Sequence, residues 1–185
     1  IDYTIIILGG TYLEHYYLNR KYKDRLFRFI FSDKGNLLQL YNAINDSHYN
    51  NPDDLVITTI DDVVYMGMKN DLSFIIDDIM SLYEHQSTHS PNLPLRGLFY
   101  FSAMYRNYIE PMKQKLYTDS PLRIHFPVYL VFYNGSMEEP ERKEIPLSDL
   151  FIQNGKGLQP ALECTALLLN INVGHNQELM ENAAF

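Results

Sequence analysis

The sequence predicts an α/β or α+β domain, and three observations lead there. Helical spacing of apolar residues fills 22–46 and returns over 95–115. Between those stretches lie short β-branched runs at 55–60, 71–76 and 79–87. A nearly continuous apolar run then ends at Tyr133. Helix, strands, helix and strand in that order fit a sheet with helices packed on it. A length of 185 residues with 46% hydrophobic content supplies a real core for one domain, or one domain with an appendage.

In chain order, residues 1–21 lack periodicity, are broken by Gly9-Gly10 and read as an N-terminal extension. That glycine pair is no phosphate loop, because no Lys-Ser/Thr follows it. Leu26, Phe27, Ile30 and Phe31 define a first helix over about 22–31. After the break at Ser32–Gly35, Leu37, Leu38, Leu40, Tyr41 and Ile44 define a second over 35–46. Asn50-Asn51-Pro52-Asp53-Asp54 is a turn cluster. Leu55–Ile60 follows as a strand, and Val63–Met66 reads as a brief one. Asp71–Ile76 and 79–87 are strands around an Asp77-Asp78 break.

The longest helix is expected from Leu95 to about Lys115, with Leu98, Phe99, Phe101, Ser102, Tyr105 and Ile109 on its apolar face. Leu122–Tyr133 is a strand whose apolar run after Pro127 predicts burial on both faces. Residues 136–160 are polar, carry Pro and Gly, and read as surface loop with a short turn at Leu147–Phe151. Leu162–Ile171 fits a strand or a buried helix equally. Leu179–Phe185 reads as a helix that simply stops, so the chain is expected to be a fragment ending inside a larger domain.

Charge sets limits on partners. Acids outnumber bases 23 to 15, and the net charge is −8. That disfavours a surface built to coat itself in nucleic-acid phosphates or a polybasic membrane binder. The apolar runs fall far short of the roughly 20 residues a membrane-spanning helix needs. Cys164, the only cysteine, rules out an intrachain disulfide and a cysteine zinc cluster, and fits a reducing cytoplasm. It lies in an apolar stretch with no evident His partner, so it reads as core packing.

The densest candidate chemistry is Lys69–Phe74 followed by Tyr83–Thr88. With a turn centred between Asp77 and Asp78, Ser73 faces Leu82, Asp71 faces Glu84 and Lys69 faces Gln86. Lys69, Asp71, Glu84 and Gln86 then project from one face, and His85 from the other. Opposed residues have Cβ atoms about 4.5–5.5 Å apart, so Asp71 and Glu84 repel unless a cation sits between them. A hard divalent ion such as Mg²⁺ or Mn²⁺ takes few carboxylates and completes its shell with waters and phosphate oxygens. Residue types and register together are compatible with phosphodiester cleavage, while an Asp and a Glu at strand ends also read as solvated surface residues.

Two other patterns are decoys. Pro52-Asp53-Asp54 precedes the first strand and is a turn. His85 and His89 have a helical metal-ligand spacing but fall on a strand and a loop, so they make no zinc pair.

Tyr83-Glu84-His85-Gln86-Ser87-Thr88 and the Asp71 of Lys69–Phe74 resemble the Rpn family of recombination-promoting, transposase-like nucleases in the PD-(D/E)XK superfamily. Similar stretches are Tyr22–Phe31, Asn92–Arg96, Val131–Gly135 and Asn170–Asn176, so the resemblance runs from Tyr22 to the C-terminus. It implies a restriction-endonuclease-like αβββαβ core over 22–185, a central mixed sheet flanked by helices, with the family continuing beyond this C-terminus. It implies DNA hydrolysis with Mg²⁺ or Mn²⁺, Asp71 and Glu84 as metal-binding carboxylates and the His85 carbonyl as a further ligand. Gln86 stands where most of the superfamily has lysine. It orients water but cannot accept a proton.

On the same resemblance, Asp24 would support the metal site indirectly. Lys69, opposite Gln86 in the expected register, would supply the missing ammonium. Arg96 and Arg106, on the helix after the hairpin, are candidates for DNA phosphate contact, with Lys113, Lys115 and Arg123 beyond them; Tyr100, Tyr105 and Tyr108 are candidates for base stacking or, by their apolar surroundings, for packing. The rival expectation is a catalytically inactive DNA-binding or protein-interaction module, favoured by Gln86 and by the net acidity. A homodimer would suit double-strand cutting. Nine of the 23 acids lie in turns and loops at 53, 54, 61, 62, 77, 78, 138, 139 and 141, so the net charge leaves room for a local basic patch.

Overall fold

The computed structural model describes residues 20–58, 71–152 and 157–183, less the side chains of 20–22 and 24. The expected strand at 63–66 lies outside the described residues, as do residues 1–19. Helix α1 spans Arg20–Phe31 and α2 spans Lys34–Asn45. Asp33 caps α2 by accepting a hydrogen bond from the Asn36 amide, and Asp46 ends it in the left-handed region at φ 49°. Pro52–Asp54 is one turn of 3₁₀ helix, as expected of a turn. The strands are β1 (Val56–Ile57), β2 (Leu72–Ile76), β3 (Ile79–Gln86), β4 (Phe126–Tyr133), β5 (Arg142–Pro146) and β6 (Thr165–Asn170). Helix α3 spans Leu93–Ile109 and α4 spans Gln177–Asn182.

These strands form one six-stranded mixed sheet in the order β1-β2-β3-β4-β6-β5. β1, β2 and β3 run antiparallel to one another, β4 and β6 run parallel to β3, and β5 closes the far edge antiparallel to β6. Leu72 pairs with Tyr83, Ser73 with Leu82 and Ile76 with Ile79, which is the register the hairpin reading predicts. The turn closes because Asp77 adopts φ 48°, a conformation Asp tolerates better than most residues. The Tyr49 hydroxyl donates to the Asp77 carboxylate and ties the turn to the chain after α2.

Alternation along the strands divides the core. Phe27 and Phe31 of α1, four buried residues of α2 and Leu179 of α4 cover Leu72, Phe74, Tyr83, Leu130 and Phe132 on one face. On the other, α3 covers Met80, Leu82, Tyr129, Val131 and Leu168. β4 is buried continuously from Tyr129 to Tyr133, because both layers pack on it.

The structure corrects four expectations. Helix α3 stops at Ile109 and passes into 3₁₀ turns over Glu110–Tyr117, since Pro111 has no amide hydrogen to donate into the helix ladder and Met112 leaves the helical region at φ −124°. Its buried residues are Leu93, Pro94, Gly97, Tyr100, Phe101, Ala103 and Met104, while Phe99 and Ser102 are exposed; hydrophobicity alone misplaces the face. The polar loop at 136–160 contains β5, an edge strand whose Arg142 and Glu144 face solvent and so carry no apolar alternation. Residues 122–125 precede the strand rather than join it. The ambiguous 162–171 stretch resolves as strand β6.

Gly97 sets the approach of α3 to the sheet. A Cβ there would lie 2.4 Å from Tyr129 Cε1 and 3.3 Å from Cys164 Sγ. Tyr129 is 4% exposed and has no room to retreat. Gly97→Ala is therefore expected to destabilise the fold by about 1–3 kcal/mol despite the better helix propensity of alanine. A urea melt measures it, and a variant as stable as the wild type would show that the helix can slide.

Candidate active site

The paired carboxylates lie at the end of the sheet where β3, β4 and β6 terminate, with α3 starting beside them. Asp71 immediately precedes β2, and Glu84 lies on β3 at the position that faces it when the ladder is continued by one residue. Glu84 is 1% exposed and Asp71 side-chain exposure is 17%. Asp71 Oδ2 accepts the His85 amide at 2.9 Å, and its Oδ1 lies 3.6 Å from Arg28 Nε. Glu84 Oε1 accepts Arg96 Nη2 at 3.0 Å, and Oε2 accepts the Tyr129 hydroxyl at 2.7 Å.

The repulsion expected between the two acids is thus relieved by two guanidinium groups, one from each helical layer. Relief is incomplete at Glu84. Burial pushes its pKa up to about 7, against the lowering effects of Arg96 and the Tyr129 hydrogen bond. The nearby Asp71 charge raises it further. A carboxyl raised toward neutrality beside a second acid marks this pair as the candidate site.

Gln86 closes β3 on the same sheet face as Glu84 and is half-buried. His85 points to the other face, its ring 5.5 Å from that of Phe27, as alternation requires. Arg96 is an ion-pair partner of Glu84, with 31% of its side chain exposed. Arg106 is exposed in the last turn of α3, about 15 Å farther along the axis at 1.5 Å per residue, so the two do not form one patch. Lys113 pairs with Glu110. Tyr100 is buried beside Arg96 and hydrogen-bonded to Glu84, Tyr105 donates to the His125 carbonyl, and Tyr108 packs edge-on to the His125 ring; all three are engaged within the fold. Lys69 and the Asp24 side chain lie outside the described residues.

Several groups at this end had no site role from the sequence. Arg28 and Tyr129 reach the carboxylates only because both layers converge there. Lys23 of α1 donates to Asn134 Oδ1 at 2.6 Å and to its carbonyl at 3.1 Å, clamping the end of β4. His89 Nδ1 lies 2.6 Å from Glu139 Oε1, and Lys143 Nζ lies 2.9 Å from Glu139 Oε2. Cys164 is half-buried against the α3 layer, and burial pushes its thiol up to about 11, which leaves it protonated and unreactive. A cleft of about 900 Å³ between α2, the β5–β6 edge and α4 holds none of the predicted site residues.

The donor set suits a hard cation and not zinc. Glu84 accepts from Arg96, Tyr129 and Tyr100, and a carboxylate with about four acceptor positions keeps capacity for a cation. Among the described residues no group of three His, Cys, Asp or Glu side chains gathers for a metal; a hard ion at this end would have only Asp71, Glu84 and the His85 carbonyl, with waters completing its shell. Fold and site together define a mixed α/β domain with a sparse carboxylate centre at one end of its sheet. No protein-family model, curated protein or solved structure matches the chain. Among the described residues no helix is long and apolar enough to cross a membrane.

Proposed function

We propose that the chain is a divalent-metal-dependent DNA endonuclease of the Rpn type, with a restriction-endonuclease-like core. The observation that carries this reading is the placement of Asp71 and Glu84 on one face of the β2–β3 hairpin, with Glu84 poised near neutrality. The order helix, three strands, helix, strand from α2 to β4, with α1 preceding it, supports the same reading.

A bound Mg²⁺ or Mn²⁺ supplies Lewis acidity, easing ionisation of water and offsetting charge on the phosphate oxygens. The chain does the rest. The His85 amide fixes Asp71, and Tyr129 fixes Glu84, so neither carboxylate spends rotamer freedom at the moment of reaction. Gln86 orients the attacking water through its amide. Arg96 shares Glu84 and is partly open to solvent, so it can exchange part of that contact for a phosphate. DNA association of this kind is weak and salt-sensitive, as the net charge of −8 demands. A cytoplasmic location and a homodimer belong to the same proposal.

A second reading is favoured by one feature: both oxygens of the buried Glu84 are already bonded, as in an inactive member that only binds DNA or protein. Plasmid nicking separates the two. The enzyme reading expects nicking that needs Mg²⁺ or Mn²⁺ and is lost in Asp71→Ala and in Glu84→Gln. Wild-type protein that neither nicks DNA nor gives heat with either ion in a calorimeter supports the inactive module.

A further inference from the structure

We propose that His89, held by the buried carboxylate of Glu139, is the general base of this site; the inference rests on the nuclease reading. Hydrolysis needs a group that takes the proton of the attacking water. Among the described residues, Gln86 has no titrating group, Asp71 and Glu84 are engaged with Arg28 and Arg96, and His85 faces the α1 layer. His89 lies in the loop between β3 and α3, three residues past Gln86 and so within about 11 Å of it. Its partner network places it on the correct side. Glu139 also binds Lys143, which pairs with Leu168 of the α3-facing core. That is the face that carries Glu84.

The setting orients the ring. The Glu139 side chain is 5% exposed, and its backbone carbonyl accepts Asn170 Nδ2 at 2.6 Å. Burial opposes its charge, but the bonds from Lys143 and His89 prevail and keep its pKa below the usual carboxylate range. An ionised carboxylate only accepts, so His89 Nδ1 carries the hydrogen that meets Glu139 and Nε2 is the ring nitrogen left to act on water. The His89 side chain is 29% exposed, so the ring is partly open to water. In the step, an O–H bond of water breaks and its proton goes to Nε2. The new P–O bond forms as one bridging P–O bond breaks. The departing oxygen takes a proton from solvent, and His89 later returns its own to solvent.

The test is single-turnover DNA cleavage by the wild type, His89→Ala, His89→Gln and Asp71→Ala, with and without added imidazole. His89→Gln keeps an N–H for Glu139 and guards against loss of folding. Both His89 variants are expected to slow by about 10²-fold or more, and imidazole is expected to restore much of the rate to His89→Ala. A structural role would give no such rescue. If Asp71→Ala is inert while His89→Gln cuts at the wild-type rate, or if imidazole rescues nothing, this assignment is overturned and the nuclease reading stands. A wild type that cuts no DNA overturns both.

Discussion

Relative to Glu84→Gln, the wild-type protein is expected to lose about 3 kcal/mol of folding stability as pH rises from about 4.5 to 8. The carboxyl of Glu84 ordinarily titrates at 4.5 and is pushed up to about 7 in the folded state. Between those values the folded chain holds a proton that the unfolded chain has released, so raising the pH favours unfolding. The contribution is fully present below about 4.5 and gone above about 7. Glu84 is 1% exposed, so solvent screening does little to reduce the effect. The substituted amide would keep the geometry, its oxygen accepting from Arg96 and its nitrogen donating to the Tyr129 oxygen. Denaturant titrations of both proteins across pH measure the difference. The same substitution is expected to abolish nicking, so greater stability at pH 8 would come with lost activity. A flat difference between the two proteins would mean that Arg96 fully compensates the buried charge. Millimolar Mg²⁺ should narrow the gap at pH 8 by binding the ionised wild type alone.

Phe132→Ala is expected to destabilise the fold by about 3–5 kcal/mol. Phe132 is wholly buried on β4, with ring centroids 5.3 Å from Phe27 and 5.5 Å from Tyr83. Phe27 also stacks near His85 and Phe31, so this aromatic cluster is what seats α1 on the sheet. Removing its centre leaves a cavity between two layers that cannot collapse without shifting a helix. Helix α1 also brings Arg28 to Asp71 and Lys23 to Asn134. Hydrogen exchange should therefore rise first in α1 and at the adjoining strand ends. A loss below about 1 kcal/mol, with unchanged exchange in α1, would show that the helix is seated by other contacts.

The hairpin is legible because its code is local. Side chains alternate with a period of two, and one turn fixes the register for the whole ladder. Asp77-Asp78 serves as that turn although it is not a favoured pair, since Asp77 accepts a positive φ and Tyr49 binds its carboxylate. The same-face placement of Asp71 and Glu84 follows from this alone. Strand β5 is illegible for the converse reason. Its outer face is solvated and its partner β6 arrives only through the fold, so Arg-Lys-Glu-Ile-Pro carries no strand pattern of its own. The face of α3 is misplaced by hydropathy because Phe99 is apolar yet exposed, while Gly97 and Tyr100 are buried for reasons of approach and of charge.

What the sequence by itself determined is the alternation of elements, the hairpin register and the two acids on one side of it. Only the tertiary structure decided what meets those acids. Arg96 comes from 12 residues beyond Glu84 and Tyr129 from 45, while Arg28 comes from the opposite layer to meet Asp71. Alternation is a property of the backbone over a few residues. Charge compensation and burial are properties of the whole packed molecule, because the cost of a buried carboxylate depends on every group that excludes water from it or returns a proton to it.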